Sequence, residues 1–298
     1  MKKSSKENMR EIRELFSKIS IKKGFLSILF LVVVTVILLF IPLNELNLNS
    51  TWQELIIDYA IFLIPFFLFL WVFRRVNYPI ISIVKGNSYN ASQVLLVIPL
   101  IIISISLAWI IILGLNLISE GIAENYLNWL NSVQMLTLGP ETTLLQYVLF
   151  FGLVSILAPV IEEIIFRGIM IERLGAKYNY RWAVIISSTI FAFLHVGLVV
   201  DALIFGVVLS LIYLKTESLM IPIIIHAVNN TIAFFFMITY EKFTFNYGSW
   251  DTVSPYISNA LVGILLFTVG IVWLGRYLRK NWQIVIKKQP FKIETEKT

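Results

Sequence analysis

Long apolar runs separated by short polar segments set the pattern of this chain. A helix that crosses a hydrocarbon core needs about 20 apolar residues. Runs of that kind fall at roughly 24–43, 53–73, 93–118, 143–174, 181–197, 199–214, 218–238 and 257–276. The pattern predicts an all-α, polytopic membrane helix bundle with about eight transmembrane helices. The first run, from Gly24 to Pro42, is too long for a signal-peptide core and lacks a small-residue cleavage site, so it reads as a span. Ahead of it, Met9, Ile12, Leu15, Phe16 and Ile19 recur at helical spacing among Lys and Arg. That segment fits an interfacial amphipathic helix on an anionic leaflet, and it fits a solvated basic tail equally well.

Composition agrees with the pattern. Hydrophobic residues make up 58% of the 298 and charged residues 14%, whereas soluble domains carry roughly a quarter charged residues. A polytopic bundle of this length is one unit, although length alone would suggest two domains. The chain has no cysteine, which excludes disulfides and Cys-ligated metals.

The net charge of +6 matters less than where the basic residues sit. Lys and Arg number eight in 1–23, none in 44–52, three in 74–92 and none in 119–142. Four follow in 167–181, none near 198, then Lys215 alone, Lys242 alone and seven from Arg276 onward. Basic and non-basic loops alternate. The positive-inside rule then puts both termini in the cytoplasm and the 119–142 loop outside. The stretch from Tyr240 to Tyr256 reads as an outer aromatic belt. Tyr126 and Trp129 read as interfacial.

Ionisable groups inside spans are expensive and mark function by default. The fourth span holds Glu162, Glu163 and Arg167 in PVIEEIIFRG. The fifth ends in FAFLH, giving His195, and the seventh holds HAVNN, giving His226, Asn229 and Asn230. His195 and His226 are the only histidines in the chain. At about 100° per residue, Glu163 and Arg167 share a helix face and can pair, while Glu162 points away from that pair. His226 and Asn230 also share a face, and Asn229 does not. Counted from Arg173, Arg181 and Lys215 as cytoplasmic edges, Glu162, His195, His226 and Asn230 lie roughly 16–23 Å deep. Three helices therefore bring polar groups to a similar level. Each group alone could be an interhelical clip or hydrogen bond; the shared depth favours a site. Asp201 and Glu172, near helix ends, read as solvated, and Gly168 as a close-packing position.

The set contains no GxSxG elbow and no HExxH. It offers a carboxylate, two imidazoles and a carboxamide. A carboxylate with a histidine can hold and deprotonate a water, and an imidazole with an amide N–H can donate to an oxyanion. That kit suits amide hydrolysis.

The three motifs EExxxR (Glu162, Glu163, Arg167), FxxxH (Phe191, His195) and HxxxN (His226, Asn230) occur in order on successive appropriate spans. In this the chain resembles the CPBP family, the CAAX proteases and bacteriocin-processing enzymes also called Abi proteins. The resemblance covers roughly 143–238. It implies an intramembrane endopeptidase with Glu162 as base, His195 holding the water, and His226 with Asn230 as oxyanion donors. The chain then divides into a basic cytoplasmic segment 1–23, N-terminal spans 24–142, a protease-like core 143–238, and a last span with basic tail 239–298. The favoured mechanism requires no cofactor. A divalent metal such as zinc would fall to His195, His226 and Glu162. Implied partners are a membrane-embedded or membrane-associated peptide substrate and anionic lipid at the basic termini, with no nucleic acid. The Lys-, Ile- and Asn-rich, cysteine-free composition points to a bacterial plasma membrane. The substrate there would be a pheromone, a bacteriocin precursor or a membrane protein. The competing readings are a non-catalytic regulator or immunity protein, and a proton-coupled transporter.

Overall fold

The structure is a computed structural model that describes residues 48–75, 91–132, 142–195, 197–242 and 254–288. The span expected at 24–43, the amphipathic segment 9–19 and most of the aromatic belt at 240–256 lie outside these residues. Among the described residues all regular structure is helical. The helices are α1 Ser50–Arg75, α2 Val97–Ile118, α3 Glu120–Ser132 and α4 Leu144–Lys177. They continue as α5 Tyr180–Leu194, α6 Val199–Thr216, α7 Met220–Lys242 and α8 Ser254–Lys287. A 3₁₀ stretch, Ala91–Leu96, leads into α2.

Among the described residues, five segments are long and apolar enough to cross a membrane: Ser92–Ile118, Leu144–Lys177, Val199–Thr216, Met220–Ile238 and Leu261–Lys287. Apolar side chains such as Leu261, Leu265 and Val269 on α8 stand exposed, as they do where the solvent is lipid. The protein is a multi-pass membrane protein. α4, α5, α6 and α7 pack together, with α2 and α8 against them. Two clusters of buried apolar residues fill that interior, one around Val184, Leu211 and Tyr213, the other around Phe191, Leu209 and Ile225.

α4 is interrupted twice. It starts from a capping box in which the Thr143 backbone N–H donates to Gln146 Oε1 and the Gln146 backbone N–H donates to Thr143 Oγ1. Residues Leu153–Leu157 and Ile164–Met170 are π-helical. Pro159 accounts for the first interruption: its ring crowds the carbonyl four residues back and it has no N–H to offer. The helix opens there, and Ala158 N–H reaches five residues back to Leu153 O. In the second, Ile171 N–H reaches Phe166 O, which also accepts from Ser187 Oγ at 3.0 Å. Glu162 and Glu163 close the short α-helical stretch between the two, Ala158–Glu163. π-Bulges inside α-helices are frequent at functional sites.

α5 is shorter than the apolar run 181–197 suggested. Its 15 residues span about 22 Å, less than the ~30 Å core. Asn179 caps its start by accepting from Trp182 N–H. At the other end His195 N–H turns back to Ala192 O, and Leu198 N–H to His195 O. Gly197 sits at φ 92°, a left-handed conformation that strains any residue with a Cβ. The α5–α6 hairpin therefore turns within this short sequence.

Glu172 corrects the sequence reading. It is buried rather than solvated, at 1% exposure, and accepts from Tyr180 Oη at 2.6 Å and Tyr213 Oη at 2.9 Å. Two tyrosines replace water, so the carboxylate's position near a helix end did not expose it. Gly175 makes this possible, because a Cβ there would lie 2.5 Å from Tyr180 Cε1. Gly175→Ala is expected to displace the buried Tyr180 ring and cost about 1–3 kcal/mol, the usual range for overpacking. A lower melting temperature in detergent checks this, and an unchanged one contradicts it. Asp201, also read as solvated, is half-buried and hydrogen-bonded to Ser104 on α2. Beside it, burial and the Asp201 carboxylate raise the Tyr126 phenol on α3 above its ordinary value.

Candidate active site

The site forms where α4, α5 and α7 meet. Glu162 Oε2 lies 3.9 Å from His195 Nε2 and 3.7 Å from His226 Nε2. That oxygen is buried and has no hydrogen-bond partner among the protein atoms. Three helices thus aim one carboxylate oxygen and two imidazole nitrogens at a common point; the depth count puts them at a similar level. The 100° offset between adjacent residues separates the two glutamates. Glu162 faces the histidines while Glu163 accepts from Arg167 Nη1 at 2.7 Å.

Glu163 does more than the sequence suggested. Its Oε1 also accepts from His226 Nδ1 at 2.8 Å. One buried carboxylate oxygen is therefore shared by a guanidinium on its own helix and an imidazole on α7. Arg167 and Glu163 are 1% and 0% exposed, so neither charge has bulk water to fall back on. Arg167 Nη2 also donates to Gly206 O at 3.4 Å, and its Cζ lies 4.6 Å from the centre of the Phe191 ring. Gly206 lets α6 come this close, since a Cβ there would lie 3.2 Å from the Ser188 backbone.

Both histidine tautomers follow from their partners. His195 Nδ1 lies 2.8 Å from Phe191 O, and His226 Nδ1 lies 2.8 Å from a carboxylate oxygen. Both partners are acceptors, so each Nδ1 carries a proton, and Nε2 of each ring is left facing Glu162. The i,i+4 spacing of FxxxH is thereby explained. Phe191 fixes His195 through its carbonyl and also stacks on the ring, with centroids 4.3 Å apart. Phe205 on α6 meets His226 edge-on at 5.1 Å and 72°. No sequence motif singled out Phe205.

His195 differs from the expectation of a residue inside a span. It is the C-cap of α5, with φ −100° and ψ 68°, and its side chain is 32% exposed. The neighbouring Phe193, Leu194 and Leu198 are exposed apolar residues. The site therefore borders an apolar surface at the hairpin turn. His226, by contrast, is 3% exposed.

Asn230 is not shown at the same point. Its Nδ2 donates to Val154 O at 2.9 Å, and its Oδ1 accepts from Asn229 Nδ2 at 3.3 Å. The cause lies in α4. In the five-back register of its first π stretch, Val154 O would pair with the N–H of residue 159, which is proline and has none. Asn230 supplies the missing donor from α7 and keeps a second amide hydrogen. Gly168 is buried in the second π stretch.

Two imidazoles and a carboxylate are donor types that zinc takes. Among the described residues, however, no group of three His, Cys, Asp or Glu side chains is arranged to hold a metal ion.

Comparison with known proteins agrees with this geometry. Residues 144–232 match the family described as Type II CAAX prenyl endopeptidase Rce1-like. The chain is 37% identical over 79 residues to a Bacillus subtilis protein named "Putative membrane peptidase YdiL", covering 26% of this chain and 32% of that one. It is 35% identical over 89 residues to "UPF0177 protein YaiF" of Lactococcus lactis, covering 29% of this chain and 39% of that one. The chain thus spans between about a third and two fifths of the length of these relatives. No solved structure matches it. The matched segment 144–232, which holds Glu162, Glu163, Arg167, His195, His226 and Asn230, is thus similar to the Rce1-like CAAX prenyl endopeptidases.

Proposed function

We propose that this protein is an intramembrane endopeptidase that hydrolyses peptide bonds of membrane-embedded or membrane-associated substrates through a glutamate-activated water. One observation carries the reading. A buried carboxylate oxygen of Glu162, without a protein partner, faces the Nε2 atoms of two tautomerically fixed histidines at 3.7 and 3.9 Å.

In the proposed reaction a water donates one hydrogen to Glu162 Oε2 and the other to His195 Nε2, leaving an oxygen lone pair free. It attacks the peptide carbonyl carbon as its proton passes to Glu162. The C=O π electrons move to oxygen, giving a tetrahedral oxyanion. The C–N bond then breaks, Glu162 returns the proton to the leaving nitrogen, and a carboxyl and an amine remain. Oxyanion donors are His226 and the second amide hydrogen of Asn230. Because His226 Nδ1 already donates to Glu163, donation from Nε2 uses the doubly protonated ring, held between two carboxylates. The exposed apolar residues around His195 suit a substrate presented from the lipid. The alternation of basic loops places both termini in the cytoplasm, and the basic ends would meet anionic lipid.

Water as the nucleophile sets the test. Candidate substrates are those that accumulate uncut when wild-type membranes are compared with Glu162→Ala membranes. A single turnover of one in H₂¹⁸O is expected to place the label in the new carboxyl, without burst kinetics. A trapped covalent acyl-enzyme would sink the mechanism.

A further inference from the structure

Beyond the Glu162 cluster lies a set of buried and part-buried polar groups, of which the mechanism uses only Asn230. α1 and α4 run side by side from matched starts: Gln146 Nε2 donates to Asn49 Oδ1 at 3.1 Å, and Tyr59 Oη to Leu149 O at 2.7 Å. Leu55, Phe150 and Phe234 then close a common apolar layer across α1, α4 and α7. One turn further along, each of the three helices carries polar groups instead. α1 carries Asp58, on the same buried stripe as Thr51 and Leu55. α4 carries Ser155 within the π stretch. α7 carries the bonded pair Asn229 and Asn230.

Two of these are orphaned. Asp58 is 8% exposed and Ser155 1%, and neither Asp58 Oδ2 nor Ser155 Oγ has a hydrogen-bond partner among the protein atoms. Buried polar atoms are nearly always paired, with ordered water supplying the bond when protein does not. An aspartate within an apolar span is costly to keep and is a functional candidate by default. The apolar layer on one side leaves the direction toward Glu162 as the polar one. Ser155 precedes Glu162 by seven residues, two turns along α4, and Asn230 follows His226 by four, one turn along α7.

We propose that Asp58, Ser155 and the Asn229–Asn230 amides form a second polar layer that binds ordered water and supplies it to the Glu162 cluster. The layer recruits α1, which lies outside the 144–232 segment, into the site. A protease working among apolar helices needs such a path, since hydrolysis consumes one water per cut. The link to catalysis rests on the peptidase reading; the presence of water does not.

The test uses the natural lack of cysteine. Ser155→Cys gives full-length protein with one thiol, probed with hydrogen peroxide, an oxidant close to water in size. Sulfenic and higher oxidation are read by mass spectrometry. Ala183→Cys, in the dry core at 0% exposure, serves as the reference. Ser155→Cys is expected to oxidise at least about tenfold faster than the reference, as solvent access governs this chemistry. Adding Asp58→Leu is expected to slow it. A Ser155→Cys thiol as inert as the reference overturns the proposal, whatever the activity.

A second arm reads turnover. Asp58→Leu is expected to lower kcat about tenfold, as for one hydrogen bond lost from the water path, with KM unchanged, and Asp58→Asn to recover most of it. Should Asp58→Leu fail to fold, Ser155→Ala is measured in its place, with the same expected fall in kcat. Wild-type kcat in the folded variant measured would remove the supply role. An inactive wild type with a reactive Ser155→Cys thiol would instead count against the peptidase reading alone.

Discussion

Glu162→Gln is expected to reduce peptidase turnover by roughly 10²–10⁴ while leaving the melting temperature nearly unchanged, because it removes the base and preserves the shape. The separation of effects is the informative part. Glu162 Oε2 has no hydrogen-bond partner among the protein atoms, so the fold gives up no bond there when the charge is removed. Its histidine neighbours stand at 3.7 and 3.9 Å, beyond direct hydrogen-bond distance, where a water to one side of that line could bridge them. Glu162→Ala should fall nearer background, since the water loses its anchor as well as its base. Turnover of a defined substrate, measured beside thermal unfolding in the same detergent, gives both numbers. A folded, fully active Glu162→Ala protein would rule the mechanism out.

The adjacent pair should behave in the opposite way. Arg167→Ala leaves the Glu163 carboxylate buried with no cationic partner from its own helix, at a cost of roughly 3–5 kcal/mol. The loss extends beyond the ion pair, because Arg167 also reaches Gly206 O on α6 and stacks over Phe191 on α5. Neutralising both partners, as in Glu163→Gln with Arg167→Met, should restore much of the stability, since no charge is then stranded. It should not restore full activity, because Glu163 also fixes the His226 ring through Nδ1. Denaturation midpoints and turnover for the two proteins check the claim. It fails if Arg167→Ala is as stable as the wild type, or if the double variant is fully active.

Much of this was legible in the sequence because it depends on short-range periodicity. Twenty-residue apolar runs report spans. A four-residue spacing reports a shared face, which predicted the Glu163–Arg167 pair and set Glu162 apart from it. Polar residues in apolar runs are rare enough that Glu162, His195 and His226 stood out, and their depth count put them at a similar level in the membrane.

What the sequence left open depends on contacts between helices that no local pattern encodes. Glu172 looked solvated until Tyr180 and Tyr213 were brought onto it from α5 and α6. His195 looked like a residue inside its span until α5 ended one residue before it. Pro159 announces a disturbed helix, but only the packing of α7 against α4 decides that Asn230 takes up the stranded Val154 carbonyl. Asp58 drew no notice in α1, because its meaning comes from its burial beside the apolar layer that α1 shares with α4 and α7. The sequence by itself determined the helical bundle, the polar side chains set within its apolar runs and the face each one occupies, because these follow from the 3.6-residue repeat. The tertiary structure alone decided which groups meet, which ring nitrogen carries each proton and which buried atoms lack a protein partner. Those depend on side chains arriving from helices far apart in the chain.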